Sequence, residues 1–488
     1  MTKAFNIRIV FKVLGALMVI EALFMLLPTL VSWYYHEADL AAFVFSTLIT
    51  LICGLMGVLA GRDAEKHIGE REGYFIVGVV WIVFSLFGML PYYLSGDIPN
   101  FTDAFFETMS GFTTTGSTIL ANVESQTHAV LFWRALTQWL GGMGIIVLSI
   151  AILPMFGLGG MQLYAAEVPG VSYEKLSPRI ADTSKLLWSV YIIFTTVETL
   201  LLKLFGMNWF DAVCHSFSTI STGGFSTRSN SLMDASIPIQ YTVCMFMLLS
   251  GISFVMLIYA MRGKPRMLFK DEETRWYLSA TGIATLVVSI GLFISHYGHT
   301  WAGAEASFRN GLFTVVSAIT GTGFSVSNYL DWIPFLWVLV FFCMFTGACA
   351  GSTSGGIKWV RLIIFSKNGF AELKRRIHPN AIIPTKINGK PMTQATINNV
   401  TAFLFFYILI TILSTIVICS CGIPFDEAIG STVSSIGNVG ISIGQFGPLG
   451  NFSDFPVVGK WVLSFVMLIG RLELFTILLM FSPALWKK

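Results

Sequence analysis

The sequence predicts an all-α integral membrane protein with ten transmembrane helices, the last eight forming four helix–loop–helix repeats around a pseudo-fourfold axis. Three observations carry this expectation. Of 488 residues, 55% are hydrophobic and 12% charged, the latter about half of the ~25% usual in soluble domains. Ten apolar runs reach the ~20 residues that a spanning helix needs. A nine-residue polar pattern also recurs four times, at the period of a whole structural unit.

The first copy of the pattern is Ser110-Gly-Phe-Thr-Thr-Thr-Gly-Ser-Thr118. The others are Ser218-Thr-Ile-Ser-Thr-Gly-Gly-Phe-Ser226, Ser317-Ala-Ile-Thr-Gly-Thr-Gly-Phe-Ser325 and Ser434-Ser-Ile-Gly-Asn-Val-Gly-Ile-Ser442. Each opens on Ser, has Phe or Ile third, Gly seventh, and Ser or Thr ninth. The seventh-place residues are Gly116, Gly224, Gly323 and Gly440. Thirteen positions upstream of these stand Asp103, Asp211, Asn310 and Glu427. Asp and Asn are favoured helix N-caps, so a short helix is expected to start at each and lead into the polar segment.

The spans are expected at roughly 10–33, 40–61, 74–95, 130–156, 184–206, 239–261, 276–296, 332–366, 398–420 and 458–484. The first two precede the repeats. The other eight bracket runs 104–113, 212–221, 311–320 and 428–437, which are too short to span and fit re-entrant half-helices. The units are residues 1–71, 72–160, 161–266, 267–392 and 393–488. Of 30 Lys and Arg, 24 fall on one side if the N-terminus lies there, including the basic stretch from Lys358 to Lys390. Positive charge gathers on the cytoplasmic side, so both termini are expected inside and the glycine segments near the outer face.

Four glycine-bearing segments converging on one axis suit a cation path. Backbone carbonyls replace the hydration shell of a cation, and irregular backbone at membrane depth survives only in protein or along water. The C-terminal ends of four short helices would aim partial negative charge at the same axis.

Two further features stand out. The run 332–366 is interrupted by Gly347, Ala348, Cys349, Ala350, Gly351, Ser352, Thr353, Ser354, Gly355 and Gly356. Glycine at that density breaks a helix, either as a passive kink or as a flexible loop beneath the polar segments, found in this repeat alone. A nucleotide-binding reading fails, because Lys358 is displaced and no Ser or Thr follows it. Arg471, near the middle of the last span, either lines the cavity below the segments or pairs with a buried acid such as Glu198 or Glu21.

Other chemistry is poorly served. A net charge of +3 argues against nucleic acid, and seven Cys without a C-x-x-C spacing argue against zinc and a disulfide framework. Histidines 36, 67, 128, 215, 296, 299 and 378 are scattered, with no Ser-His-Asp arrangement or paired catalytic carboxylates. An enzyme is not expected.

Four helix–pore–helix units in one chain, each with one filter glycine, resemble the Trk/Ktr/HKT superfamily of potassium transport proteins. The two extra N-terminal helices, the break at 347–356 and Arg471 make the chain most similar to its bacterial TrkH-type members. The resemblance implies a potassium filter of backbone carbonyls from Thr113, Thr114, Thr115 and Gly116; Ser221, Thr222, Gly223 and Gly224; Thr320, Gly321, Thr322 and Gly323; and Gly437, Asn438, Val439 and Gly440. It implies a gate at residues 347–356 with Arg471, and Gly116 in place of Ser argues for potassium over sodium. It also implies a homodimer in the bacterial inner membrane, surrounded by lipid, with a cytosolic TrkA-type nucleotide-binding regulatory subunit and no nucleotide site in this chain. A channel-like conduit is expected over a coupled symporter, since the four segments carry no acid.

Overall fold

The computed structural model describes residues 5–64, 69–144, 180–296 and 300–486. It is almost wholly helical. The N-terminal pair, α1 (Ile7–Tyr35) and α2 (Leu40–Ala60), packs unusually closely. A β-carbon on Gly15 would lie 2.6 Å from the Gly54 carbonyl oxygen, and one on Gly61 2.5 Å from that of Arg8. Small residues in register let two membrane helices approach to backbone contact.

Four quarters follow. The first has α3 (Glu70–Gly88), α4 (Leu90–Ser95), α5 (Phe101–Phe112) and α6 (His128–Gly142). The second has α7 (Ile180–Leu204), α8 (Trp209–Ile220), α9 (Ile237–Ser250) and α10 (Phe254–Met261). After α11 (Pro265–Lys270), the third has α12 (Glu272–Ser295), α13 (Trp301–Thr320), α14 (Pro334–Phe345) and α15 (Trp359–Ile377). A hairpin of β1 (Lys386–Ile387) and β2 (Lys390–Pro391) leads into the fourth. That quarter has α16 (Gln394–Ser420), α17 (Phe425–Gly437), α18 (Val457–Arg471), α19 (Phe475–Phe481) and α20 (Pro483–Trp486). The hairpin is not anticipated by the apolar pattern, because its signal is the turn dipeptide Asn388-Gly389 alone.

Among the described residues six helices are long and apolar enough to cross a membrane, or eight if two sharply bent pairs each count as one span. The remaining two of the ten expected runs are 130–156, which continues beyond the described residues after Gly144, and 332–366, which is broken between α14 and α15. The bends are unexpected. The α9–α10 pair turns by 104° at 251–253, and α18–α19 by 116° at 472–474. Arg471 therefore ends a helix instead of sitting in the middle of one. The break in the third quarter is not the only one; it differs in its length, 346–358.

The expected N-caps are also corrected. The caps of α5, α8 and α17 are Asn100, Asn208 and Pro424, so Asp103, Asp211 and Glu427 fall in the first turn. An acid there is favoured by the helix dipole and can complete a capping box. Asn208 accepts from the Asp211 N–H at 2.7 Å while donating to its carboxylate at 2.8 Å. In the third quarter the helix begins at Trp301, well before Asn310, and is capped by Thr300. Asn310 is thus buried inside a longer helix.

Candidate functional site

The four short helices α5, α8, α13 and α17 end alike. Two residues before each glycine the chain turns left-handed, at Thr114 (φ 54°), Thr222 (55°), Gly321 (69°) and Asn438 (51°). The N–H of each bonds to the carbonyl three residues back, at Gly111, Thr219, Ala318 and Ser435. The following N–H reaches the first serine of the pattern. Thr115 donates to Ser110 O at 2.8 Å, Gly223 to Ser218 O at 2.8 Å, Thr322 to Ser317 O at 2.9 Å and Val439 to Ser434 O at 2.8 Å. These paired bonds are a Schellman termination. Gly and Asn suit the left-handed position, whereas Thr114 and Thr222 are β-branched and carry strain of about 1–3 kcal/mol each.

Past this turn the glycines also take positive φ, 87° at Gly116, 78° at Gly224, 80° at Gly323 and 90° at Gly440. Their packing closes a ring. A β-carbon on Gly116 would lie 2.2 Å from Gly223 O, one on Gly224 1.9 Å from Thr322 O, one on Gly323 2.0 Å from Val439 O, and one on Gly440 2.3 Å from Thr115 O. Each glycine thus abuts the carbonyl that precedes the glycine of the next quarter, and the fourth returns to the first. The fourfold repeat of the sequence becomes a cyclic contact.

Polar side chains are buried among the ring segments. Thr113 Oγ1 lies 2.9 Å from Thr115 Oγ1, and Thr320 Oγ1 2.8 Å from Thr322 Oγ1. The Asn438 amide donates to Thr115 Oγ1 and to Met467 O, both at 3.0 Å. Thr114 Oγ1, Ser434 Oγ and Asn438 Oδ1 are buried with no protein partner. Such atoms cost about 1–3 kcal/mol each unless water or an ion serves them. Among the described residues no cluster of three His, Cys, Asp or Glu side chains is placed to hold a metal.

Past the glycines, on the side away from the loop 346–358, a brace recurs at positions that sequence reasoning missed. Nine residues before the glycine stand Glu107, His215 and Ser431, and each contacts the ninth-place hydroxyl of its own quarter. Glu107 Oε1 accepts from Thr118 Oγ1 at 2.9 Å, His215 Nε2 lies 3.0 Å from Ser226 Oγ, and Ser431 Oγ 3.4 Å from Ser442 Oγ. Glu107 is also ion-paired with Arg134 at 2.8 Å, both fully buried. Arg134 reaches across to Ser226 O and lies over the Phe225 ring, joining the first and second quarters. The conserved spacing between the polar −9 and +2 positions is visible across the four copies, but Glu, His, Thr and Ser share no chemical label.

On the opposite side, the break at 346–358 folds under the ring. Gly347 N donates to Ile357 O at 2.9 Å and Ile357 N to Phe345 O, closing the neck of the loop. Thr353, Ser354 and Gly355 touch the ring segments. Thr353 Oγ1 donates to Ile220 O at 3.1 Å, and a β-carbon on Gly355 would lie 2.6 Å from Gly437 O. A β-carbon on Gly321 would be 3.6 Å from Ser354 Oγ. Cys349 and Gly351 instead lie against the break of the second quarter, bonded to Gly251 and Phe254 at 3.0 Å. Arg471 completes the underside, donating to Thr353 O at 2.6 Å and to the carbonyls of Gly141 and Gly142. Glu21 and Glu198 are buried on α1 and α7 and are not among these three acceptors. Loop and Arg471 together contact all four quarters.

The chain resembles known proteins throughout. A family model described as TrkH, cation transport protein, matches residues 41–488. The Trk system potassium uptake protein TrkH of Escherichia coli is 37% identical, over 99% of this chain and 100% of its own. TrkG of the same organism is 31% identical, over 99% of both. The crystal structure of the potassium transporter TrkH from Vibrio parahaemolyticus superposes with a TM-score of 0.88 at 34% identity, covering 99% of this chain and 100% of that one. These relatives are transport proteins, not enzymes. With its several long apolar helices the chain is a multi-pass membrane protein, and it belongs to the TrkH family of cation transport proteins.

Proposed function

We propose that the chain carries potassium into the cell along the axis of the glycine ring. The closure of four like-built segments, each glycine against the next quarter's carbonyl, is the observation that carries this reading. The carbonyls of residues 113–116, 221–224, 320–323 and 437–440 would line the path and stand in for water around the ion. Relatives of similar length bear the name of potassium uptake proteins, which supports potassium as the cargo. In this reading ten spans and four pore repeats surround one pseudo-fourfold pore, with the unit boundaries given above and both termini in the cytoplasm of a bacterium.

The loop 347–356 and Arg471 would form the gate. They press on the ring from beneath, on the side of α15 and its basic end, and the glycines let the loop adopt a second arrangement. Relatives named for a Trk system support association with other Trk components, here a TrkA-type cytosolic subunit on a homodimer. No acid lies in the four quartets or the loop, which favours a conduit over a proton- or sodium-coupled symporter. The test is potassium flux into liposomes holding the purified protein alone. Flux that follows the potassium gradient, with a reversal potential indifferent to pH, supports a conduit; a reversal potential that moves with pH supports coupling, and no flux above empty liposomes rejects transport by this chain alone.

A further inference from the structure

We propose that Glu273 is a positioning residue that holds the intramembrane loop against the ring, and that the turn at Asn388 sets Glu273 in place. The inference rests on the gate reading above and names what restrains that gate. One oxygen of Glu273 ties the first half of the loop to the helix that follows it: Oε1 accepts from Ala350 N at 2.7 Å and from Val360 N at 3.0 Å. Val360 is in the first turn of α15, where backbone N–H groups lack helical partners. Charge-assisted bonds of this kind are about twice as strong as neutral ones. Glu273 is fully buried, in the first turn of α12, where the helix dipole favours a carboxylate.

The two residues before it are gripped by the β1–β2 turn. Asn388 donates from its side chain to Asp271 Oδ1 at 2.9 Å, accepts from Glu272 N at 2.7 Å, and donates its own N–H to Glu272 Oε2 at 3.1 Å. Lys367 of α15 pairs with Glu272 and donates to Lys386 O at 2.8 Å. Three consecutive acids thus link the hairpin to the loop with no gap. Asp271 and Glu272 hold the turn, and Glu273 holds the loop at Ala350 and the start of α15 at Val360. Pulling the hairpin away would shift the first turn of α12, withdraw Glu273, and untie the loop from α15. The loop is a two-position element, and the hairpin is its handle on the side where the basic segments gather.

The test uses the full chain in liposomes, with rubidium flux normalised to folded protein and potassium-over-sodium preference measured in parallel. Glu273→Ala should raise basal flux about tenfold, equivalent to ~1.4 kcal/mol of lost restraint, with the preference unchanged. Glu273→Gln, which keeps an acceptor oxygen, should raise it less. Asn388→Ala should raise it too, and the double variant should exceed Glu273→Ala alone by nothing. If Glu273→Ala does not fold, Glu273→Asp, one methylene too short to reach both N–H groups, should show the rise. Unchanged flux in folded Glu273→Ala or Glu273→Asp overturns the inference, as does an effect of Asn388→Ala that multiplies fully with that of Glu273→Ala. Deleting residues 351–355 separates the levels. If the deletion raises flux while Glu273 variants do not, only the clamp fails; if the deletion also changes nothing, the gate reading fails.

Discussion

Arg471 and Thr353 are joined, the guanidinium Nη1 donating to the Thr353 carbonyl at 2.6 Å while Nη2 reaches the carbonyls of Gly141 and Gly142. The charge and the loop are therefore one assembly, where the sequence offered a loop and a cavity-lining or acid-paired arginine as separate features. Arg471 is the last residue of α18, and the chain bends by 116° directly after it. The arginine both fixes the loop and places a positive charge beneath the ring.

Replacing Arg471 by Ala should raise basal potassium flux, since it removes the charge and the tie together. Arg471→Lys should change flux less, because the charge stays, although a single ammonium cannot reproduce a planar fork spanning three carbonyls. Flux per folded protein, read beside thermal unfolding, decides the matter. Unchanged or lower flux with a clear loss of stability would assign Arg471 a structural role only.

The buried Glu107–Arg134 pair should be essential to the stability of the ring on the side past the glycines. Arg134→Met leaves a carboxylate uncompensated in a dry site, a loss of about 3–5 kcal/mol. Glu107→Gln combined with Arg134→Met should recover part of that loss, because no lone charge is left behind. Thermal unfolding in detergent measures both. A double variant no more stable than Arg134→Met alone would mean that packing on Phe225, and not charge pairing, is what Arg134 contributes.

The end of α15 should dock the cytosolic subunit. Lys374 and Arg376 are exposed there, while Arg375 is partly engaged, bonded to Glu372 at 2.9 Å and to Ile383 O at 2.7 Å. Reversing the charge of Lys374 and Arg376 should weaken capture of a TrkA-type protein in a pull-down. Undiminished capture would instead fit attraction to lipid headgroups.

Much of the site was legible because chemistry forced repetition. Gly116, Gly224, Gly323 and Gly440 were readable as one set, since a β-carbon at any of them meets a neighbouring carbonyl. The residues at 114, 222, 321 and 438 were not, because Thr, Gly and Asn reach the same left-handed turn by different means. The bends at 251–253 and 472–474 were hidden for another reason. Gly251 looks ordinary in an apolar run, and Glu473 and Leu474 take positive φ without any glycine. The capping error has a simple cause: an acid in the first turn and an N-cap three residues earlier give similar sequence signals. Glu273 lay unremarked among neighbouring charges, because its partners are backbone N–H groups, which no side-chain pattern reports.

The measurement that bears most directly on the ring is the potassium-over-sodium permeability ratio of four variants, Gly116→Ser, Gly224→Ala, Gly323→Ala and Gly440→Ala, each reconstituted alone and scored per folded protein. At each site the new β-carbon must displace a carbonyl of the next quarter, and the positive φ disfavours the new residue as well. The ring account predicts that all four lower the ratio, with rubidium following potassium. A preference that survives in any folded variant, or equal passage of sodium and potassium by the unmodified protein, would contradict it.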